Sequence, residues 1–150
     1  MNYSLDEKDQ LILDTLKERS DSTTRQIAKK TLLPPTTIHN RIRKLKEAGI
    51  IKRFTIEIDE NKAGNKVLAY VLVSADLKLL KEKKKTQYDL ANDIRKFGFV
   101  RRVDIVAGVT DLVAMVRVKD MEEFDKMLLG KLQLIEGVDK TQTMIVIHEK

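Results

Sequence analysis

The hydrophobic rhythm of the chain changes near residue 60. Before that point apolar residues recur at helical spacing; after it, segments with a two-residue alternation are interleaved with helical ones. Ser4-Leu5-Asp6-Glu7 reads as a helix start, with Ser4 capping and Glu7 reaching back in a capping box. Ile12, Leu13 and Leu16 form the apolar stripe of that helix, which is expected to end near Arg19. A second, short helix begins at Ser22 or Thr23, turns Ile27 and Ala28 inward and ends near Thr31. Leu32-Leu33-Pro34 makes a turn. Pro35 suits the first position of a third helix, where its missing N–H costs nothing. That helix carries Ile38, Ile42 and Leu45 on one face and stops at Gly49. Ile50 to Ile58 alternates as a strand or hairpin would, and Asp59 to Lys66 reads as a polar linker.

The remainder predicts β-α-β-β-α-β. The first strand spans about Val67 to Ala75, and a helix holding Leu90, Ala91, Ile94 and Phe97 stops at Gly98. Strands follow at about Val100 to Ala107 and Leu112 to Val118, joined by the turn Gly108-Val109-Thr110-Asp111. Asp120 caps a helix with Glu123 three residues on and Phe124, Met127, Leu128 and Leu132 inward. Gly137 breaks the chain before a last strand, about Val138 to His148. Two split βαβ units give a four-stranded antiparallel sheet with both helices on one face, a ferredoxin-like sandwich. The class is α+β, with a helical head over residues 1–58, a linker over 59–66 and the sandwich over 67–150.

The sheet's second face should be polar if water covers it. Leu112, Ala114, Val116 and Val118 mark one face of their strand, yet the other begins with Val113 and Met115. Leu68, Tyr70 and Leu72 repeat this opposite Val67, Ala69, Val71 and Val73. Two apolar faces predict that a second copy covers the bare one, making a homodimer and leaving room for a larger assembly.

Charge sharpens the reading of the head. Residues 22–53 hold nine Lys or Arg against one acid, Glu47, in a chain of net charge +6. A folded helical unit with that charge suits a polyanion, and double-stranded DNA is the first candidate. With its apolar stripe inward, the third helix faces outward with Thr36, Thr37, His39, Asn40, Arg43 and Lys44. In a major groove Asn reads adenine, Arg reads guanine and a Thr methyl meets a thymine methyl. Arg25, Lys29, Lys30, Lys46, Lys52 and Arg53 suit phosphate contacts, while Arg41, at the flank, fits either role or packs only its stem.

The chain has no Cys, which excludes disulfides and thiolate metal sites. His39 and His148 have no sequence neighbours that would complete a triad or metal cluster, and there is no phosphate loop or dinucleotide fingerprint. No catalytic residue, metal or cofactor is therefore assigned. Without a signal-peptide core or a bilayer-length apolar run, a cytoplasmic location is expected, with no membrane partner.

Several segments together resemble one family. Leu5-Asp6-Glu7-Lys8-Asp9-Gln10-Leu11-Ile12-Leu13 and Gln26-Ile27-Ala28-Lys29-Lys30 resemble the first two helices, and Ile38 through Ile51 the recognition helix and following strand, of the leucine-responsive regulatory protein/AsnC, or feast/famine, regulators. Gly108-Val109-Thr110-Asp111-Leu112, Glu136-Gly137-Val138 and Thr141-Gln142-Thr143 resemble that family's C-terminal half. The resemblance implies a winged helix-turn-helix DNA-binding domain joined to an effector-binding, oligomerising one. It also implies dimers that assemble further, often to octamers, and an amino-acid effector between dimers. Thr36, Thr37, His39, Asn40 and Arg43 would then meet DNA, and Gly108, Val109, Thr110 and Asp111 would border the effector cleft.

Two departures stand out. The family usually has Gly where this chain has Leu32 and a polar cap where it has Pro34, so Leu32 must accept a strained backbone or impose a different turn. Lys81-Glu82-Lys83-Lys84-Lys85 lengthens the loop before the next helix, as a solvated basic loop or a DNA contact. The Gly108 to Asp111 turn itself admits two readings. Its backbone N–H groups would hold a carboxylate and Asp111 an ammonium, or Gly and Asp serve only as hairpin residues. Thr141 and Thr143 are weaker effector candidates, since β-branched residues suit any strand. The rival functions are an effector-independent architectural DNA-binding protein, or a metabolic enzyme or ligand-binding module on the sandwich.

Overall fold

A computed structural model describes residues 3–149, which divide into two compact units, one up to Glu57 and one from Ile58. The first unit holds α1 (Glu7–Glu18), α2 (Thr24–Thr31) and α3 (Pro35–Glu47). α1 starts later than Ser4 would set it. Asp6 is the cap, accepting from the Asp9 N–H at 2.8 Å, and the Asp9 carboxylate accepts from the Asp6 N–H at 3.2 Å. Aspartates at this spacing make the same reciprocal box, and here Asp9 finds further donors inside the fold. Thr23 and Gln26 box the start of α2.

Leu32 accepts the strained turn: its φ is +58° and its side chain lies exposed. Pro34 precedes α3 without a side-chain cap, and Pro35 occupies the first helical position. α3 ends in a Schellman closure. Gly49 at φ +70° donates to Lys46 O, and the Ile50 N–H donates to Leu45 O, both at 2.9 Å. Ile12, Leu16, Ile27 and Ile38 form the core, with Leu33, Ile42 and Ile51 packed on it.

The expected strand after Gly49 is not formed among the described residues. Lys52 to Ile58 runs without a ladder partner, and Phe54, Ile56 and Ile58 are exposed. Alternation supplies a sheet-ready face, but a strand exists only beside another strand. The polar stretch expected as a linker is folded. Ala63 N–H donates to Asp59 O and Asn65 N–H to Glu60 O, each at 2.9 Å, while Glu60 is paired with Arg101 at 3.2 Å.

The second unit contains β1 (Val67–Ala75), α4 (Leu77–Glu82), α5 (Gln87–Arg95), β2 (Val100–Ile105), β3 (Leu112–Val118), α6 (Met121–Gly130) and β4 (Val138–Ile145). The strand order is β2-β3-β1-β4 with every neighbour antiparallel, the ferredoxin-like arrangement. Ala69, Val71, Val73, Leu112, Ala114, Val116 and Val118 pack under Leu90, Ile94, Phe124 and Leu132. β2 and β4 end before Ala107 and His148, at Ile105 and Ile145. α4 was not expected: Asp76 caps it through the Leu79 N–H at 2.9 Å, so the basic stretch begins on a helix. Nor is that stretch simply solvated. Lys83 and Lys85 both reach Glu136, at 3.2 and 3.3 Å, and these lysines hold the Glu136 carboxyl below its ordinary range.

The sheet's other face carries Tyr70, Leu72, Val113 and Met115, all half-buried. Tyr70 is flanked by Met115 and Met144, and Leu72 by Val113 and Gln142. No helix of the described residues is long and apolar enough to cross a membrane.

Candidate nucleic-acid interface and effector turn

The same packing that buries α3 exposes its chemistry. Ile38 and Leu45 are fully buried, and the 3.6-residue period turns Thr36, His39, Asn40 and Arg43 to the opposite side. Thr36, His39, Asn40, Arg43 and Lys44 are exposed and Thr37 is half-buried. Arg43 has one distant acid, Glu47 at 3.9 Å, and its side chain remains 62% exposed, so its guanidinium is available. Arg25 and Lys29 on α2 are exposed, as is Arg53 on the extended segment. Two other basic residues of the head are engaged. Lys30 is ion-paired with Glu18, and Lys46 lies 4.9 Å from the centre of the Phe54 ring.

Arg41 belongs to neither the outward set nor the free cations. Its Nη1 reaches Asp6 Oδ1 at 2.8 Å, Asp6 Oδ2 at 2.7 Å and Asp9 Oδ1 at 2.7 Å. Asp9 is 1% exposed, and its second oxygen accepts from the Tyr3 hydroxyl at 3.0 Å. The hydrogen bond from the Asp9 N–H, then Arg41, hold the Asp6 carboxyl below the usual aspartate range. Desolvation and then the Asp9 hydrogen bond push the Tyr3 phenol up. Sequence reasoning assigned no role to Asp9. The signal was available as an acid on the inner face of an amphipathic helix, which a fold retains only with a partner.

The proposed effector residues fall in two places. Gly108 has φ +148° and Val109 is fully exposed, so the turn's backbone is open to approach. Thr110 Oγ donates to Val73 O at 2.9 Å. Asp111 is already employed: Oδ2 accepts from the Ala75 N–H at 2.8 Å and Oδ1 from Gln87 Nε2 at 2.7 Å. Thr141 and Thr143 pair across β1 with Val73 and Val71, on the helix-covered side. β1 therefore separates them from the turn, by about 10 Å at ordinary strand spacing. Thr141 accepts from Gln133 Nε2 at 2.7 Å.

These features define a two-part protein: a helix-turn-helix head with an open polar face on its third helix, and a ferredoxin-like module. Comparison with known proteins agrees. Residues 5–52 match the winged helix-turn-helix DNA-binding family and residues 69–150 the Lrp/AsnC ligand binding domain. The HTH-type transcriptional regulator FL11 of Pyrococcus horikoshii is 37% identical over 147 residues, covering 98% of this chain and 92% of that protein. Among solved structures, the transcriptional regulator NMB0573 of Neisseria meningitidis, in complex with L-Met, superposes with a TM-score of 0.87 at 25% identity, over 97% of this chain and 92% of that one. AsnC of E. coli shares the fold, with a TM-score of 0.84 at 23% identity over 98% and 95% of the two chains. The chain belongs to the Lrp/AsnC family of transcriptional regulators.

Proposed function

We propose that the protein is a sequence-specific DNA-binding regulator, working in the cytoplasm without catalysis, whose grip on DNA responds to an amino acid or a related small metabolite. The observation that carries this reading is the outward face of α3. Thr36, His39, Asn40 and Arg43 stand free of buried partners on a helix whose opposite side is core. Thr36, Thr37, His39, Asn40, Arg43 and Lys44 enter the major groove, and Arg25, Lys29 and Arg53 hold phosphates.

Assembly supplies the second half of the reading. Tyr70, Leu72, Val113, Met115 and Met144 are neighbours on one face of the sheet, the first four half-buried and Met144 exposed. A second copy covers that face in a homodimer, and dimers join into a larger assembly such as an octamer. The amino acid binds between dimers at Gly108 to Asp111, where the open backbone offers N–H groups to its carboxylate. Asp111, fixed by Ala75 and Gln87, keeps lone pairs for its ammonium group. The L-Met complex of NMB0573 supports an amino acid as the ligand class. Thr141 and Thr143 contribute from the same module. Effector binding shifts the oligomer favoured and so the number of heads acting together on DNA.

A gel-shift titration on the DNA upstream of the protein's own gene, with and without a panel of amino acids, tests this. Retarded bands that form more tightly than on random duplex, and that change with one amino acid, are expected. Equal binding to both duplexes supports instead an effector-blind architectural protein. No binding at all rejects the reading.

A further inference from the structure

We infer that Arg41, although it lies on the recognition helix, is a positioning residue that locks α3 to the start of α1 and does not itself contact DNA. This rests on α3 being the DNA-reading element. The apolar contacts of Ile12, Ile27 and Ile38 hold α3 against the core but are non-directional, so they specify its roll about its own axis less sharply than hydrogen bonds do. A roll of that kind would re-aim Asn40 and Arg43, whose base contacts depend on hydrogen-bond geometry.

The Arg41 network is directional. One nitrogen, Nη1, makes contacts of 2.7–2.8 Å to two carboxylates, and these fix residue 41 both around and along the helix. Position 41 directly follows Asn40. The anchor is itself anchored. Asp9 is buried, takes the Tyr3 hydroxyl at 3.0 Å and bonds the Asp6 N–H at 3.2 Å, so the lock reaches the backbone at the cap of α1. Thr37, Asn40 and Lys44 line the same shallow hollow as Tyr3, Asp6, Asp9 and Arg41, so the lock adjoins the reading face.

Two acids beside a DNA-reading face are otherwise costly, because they repel phosphate. Asp6 and Asp9 cap α1, and Arg41 neutralises the charge that they would otherwise present beside that face. The competing assignment is that the remaining guanidinium edge of Arg41 binds a phosphate.

The two assignments predict opposite signs for removal of an acid. The full-length protein is first used to select a duplex from a random pool; if none is enriched, the DNA-reading proposal fails and not this one. Affinity for the selected and for a random duplex is then measured by fluorescence anisotropy at several salt concentrations. Asp9→Asn keeps the side-chain volume and removes a negative charge. The lock predicts about a tenfold loss on the selected duplex, the scale of one misdirected base contact, with random-duplex affinity unchanged or higher. Arg41→Gln should reproduce that loss without altering the log–log salt slope. The proposal is overturned if Asp9→Asn leaves selected-duplex binding equal or tighter. It is equally overturned if Arg41→Gln weakens both duplexes alike and flattens the slope by about 0.9, the signature of one lost phosphate contact. Asp6→Asn preserves a competent helix cap and removes only the exposed half of the network. Should the other variants fail to fold, it decides: a smaller loss of selectivity is expected, and unchanged selectivity contradicts the lock.

Discussion

Leu32 shows how one side chain can record a conflict between local and global demands. The turn between α2 and α3 needs a left-handed residue, and Leu32 takes φ +58° with its side chain 89% exposed, so packing returns nothing for the strain. Leu32→Gly should therefore stabilise the head by about 0.5–1 kcal/mol, the left-handed penalty less the extra unfolded entropy of Gly. Chemical denaturation followed by circular dichroism checks this; a destabilised variant would contradict it. Gly137 is the reverse case. Its φ is +101°, and a Cβ there would lie 2.6 Å from the end of the Leu80 side chain. Gly137→Ala should cost the second unit about 1–3 kcal/mol, combining backbone strain with overpacking. A melting temperature equal to wild type would show that Leu80 moves aside freely.

Elements with strong periodicity were legible. β1 and β3 lie where the alternation put them, and α2 and α3 begin at the residues that Thr23 and Pro35 mark. Three features were not legible, for separate reasons. Ser4 and Glu7 have the spacing of a capping box, but Asp6 caps α1, and its carboxylate also meets Arg41, which lies far along the chain. α4 is six residues of Leu, Lys and Glu, too short for a periodic signal, and its cap alone announces it. Ile50 to Ile58 had the pattern of a strand but lacks a neighbour, a property that no local pattern contains. At the candidate site, α3's polar face was legible, whereas the engagement of Lys30 and Arg41 by acids required the fold.

The unpaired segment makes its own prediction at this scale. Laid antiparallel against itself about Thr55, it would set Phe54 of one copy against Ile56 of the other and Arg53 against Glu57, both favourable cross-strand pairs. In the proposed dimer, Arg53→Glu should weaken association measured by analytical ultracentrifugation, and adding Glu57→Arg should restore it. Equal weakening by the single and double variants would reject this pairing.

At the scale of the whole molecule, the proposed function divides the work: the cationic head would touch DNA, and the apolar sheet face would set how many heads touch it together. Acid should weaken the fold, in part through a set of paired carboxylates. Asp6, Asp89, Asp93 and Asp120, together with Glu60 and Glu136, all sit below their ordinary pKa because hydrogen bonds and cations favour their charged forms. A depressed folded pKa contributes stability above the unfolded value and loses it as pH falls through the folded one. The main loss is therefore expected below about pH 4. Melts at several pH values check this, and a loss confined to pH 5–7 would contradict it.

The central claim is that α3 reads duplex sequence. Its most direct measurement is anisotropy of the Asn40→Ala, Arg43→Ala double variant against a duplex selected by the wild-type protein and against a random one. The account predicts that the variant binds both duplexes alike, at the wild-type protein's random-duplex level. A variant that still prefers the selected duplex as strongly as wild type does would contradict it.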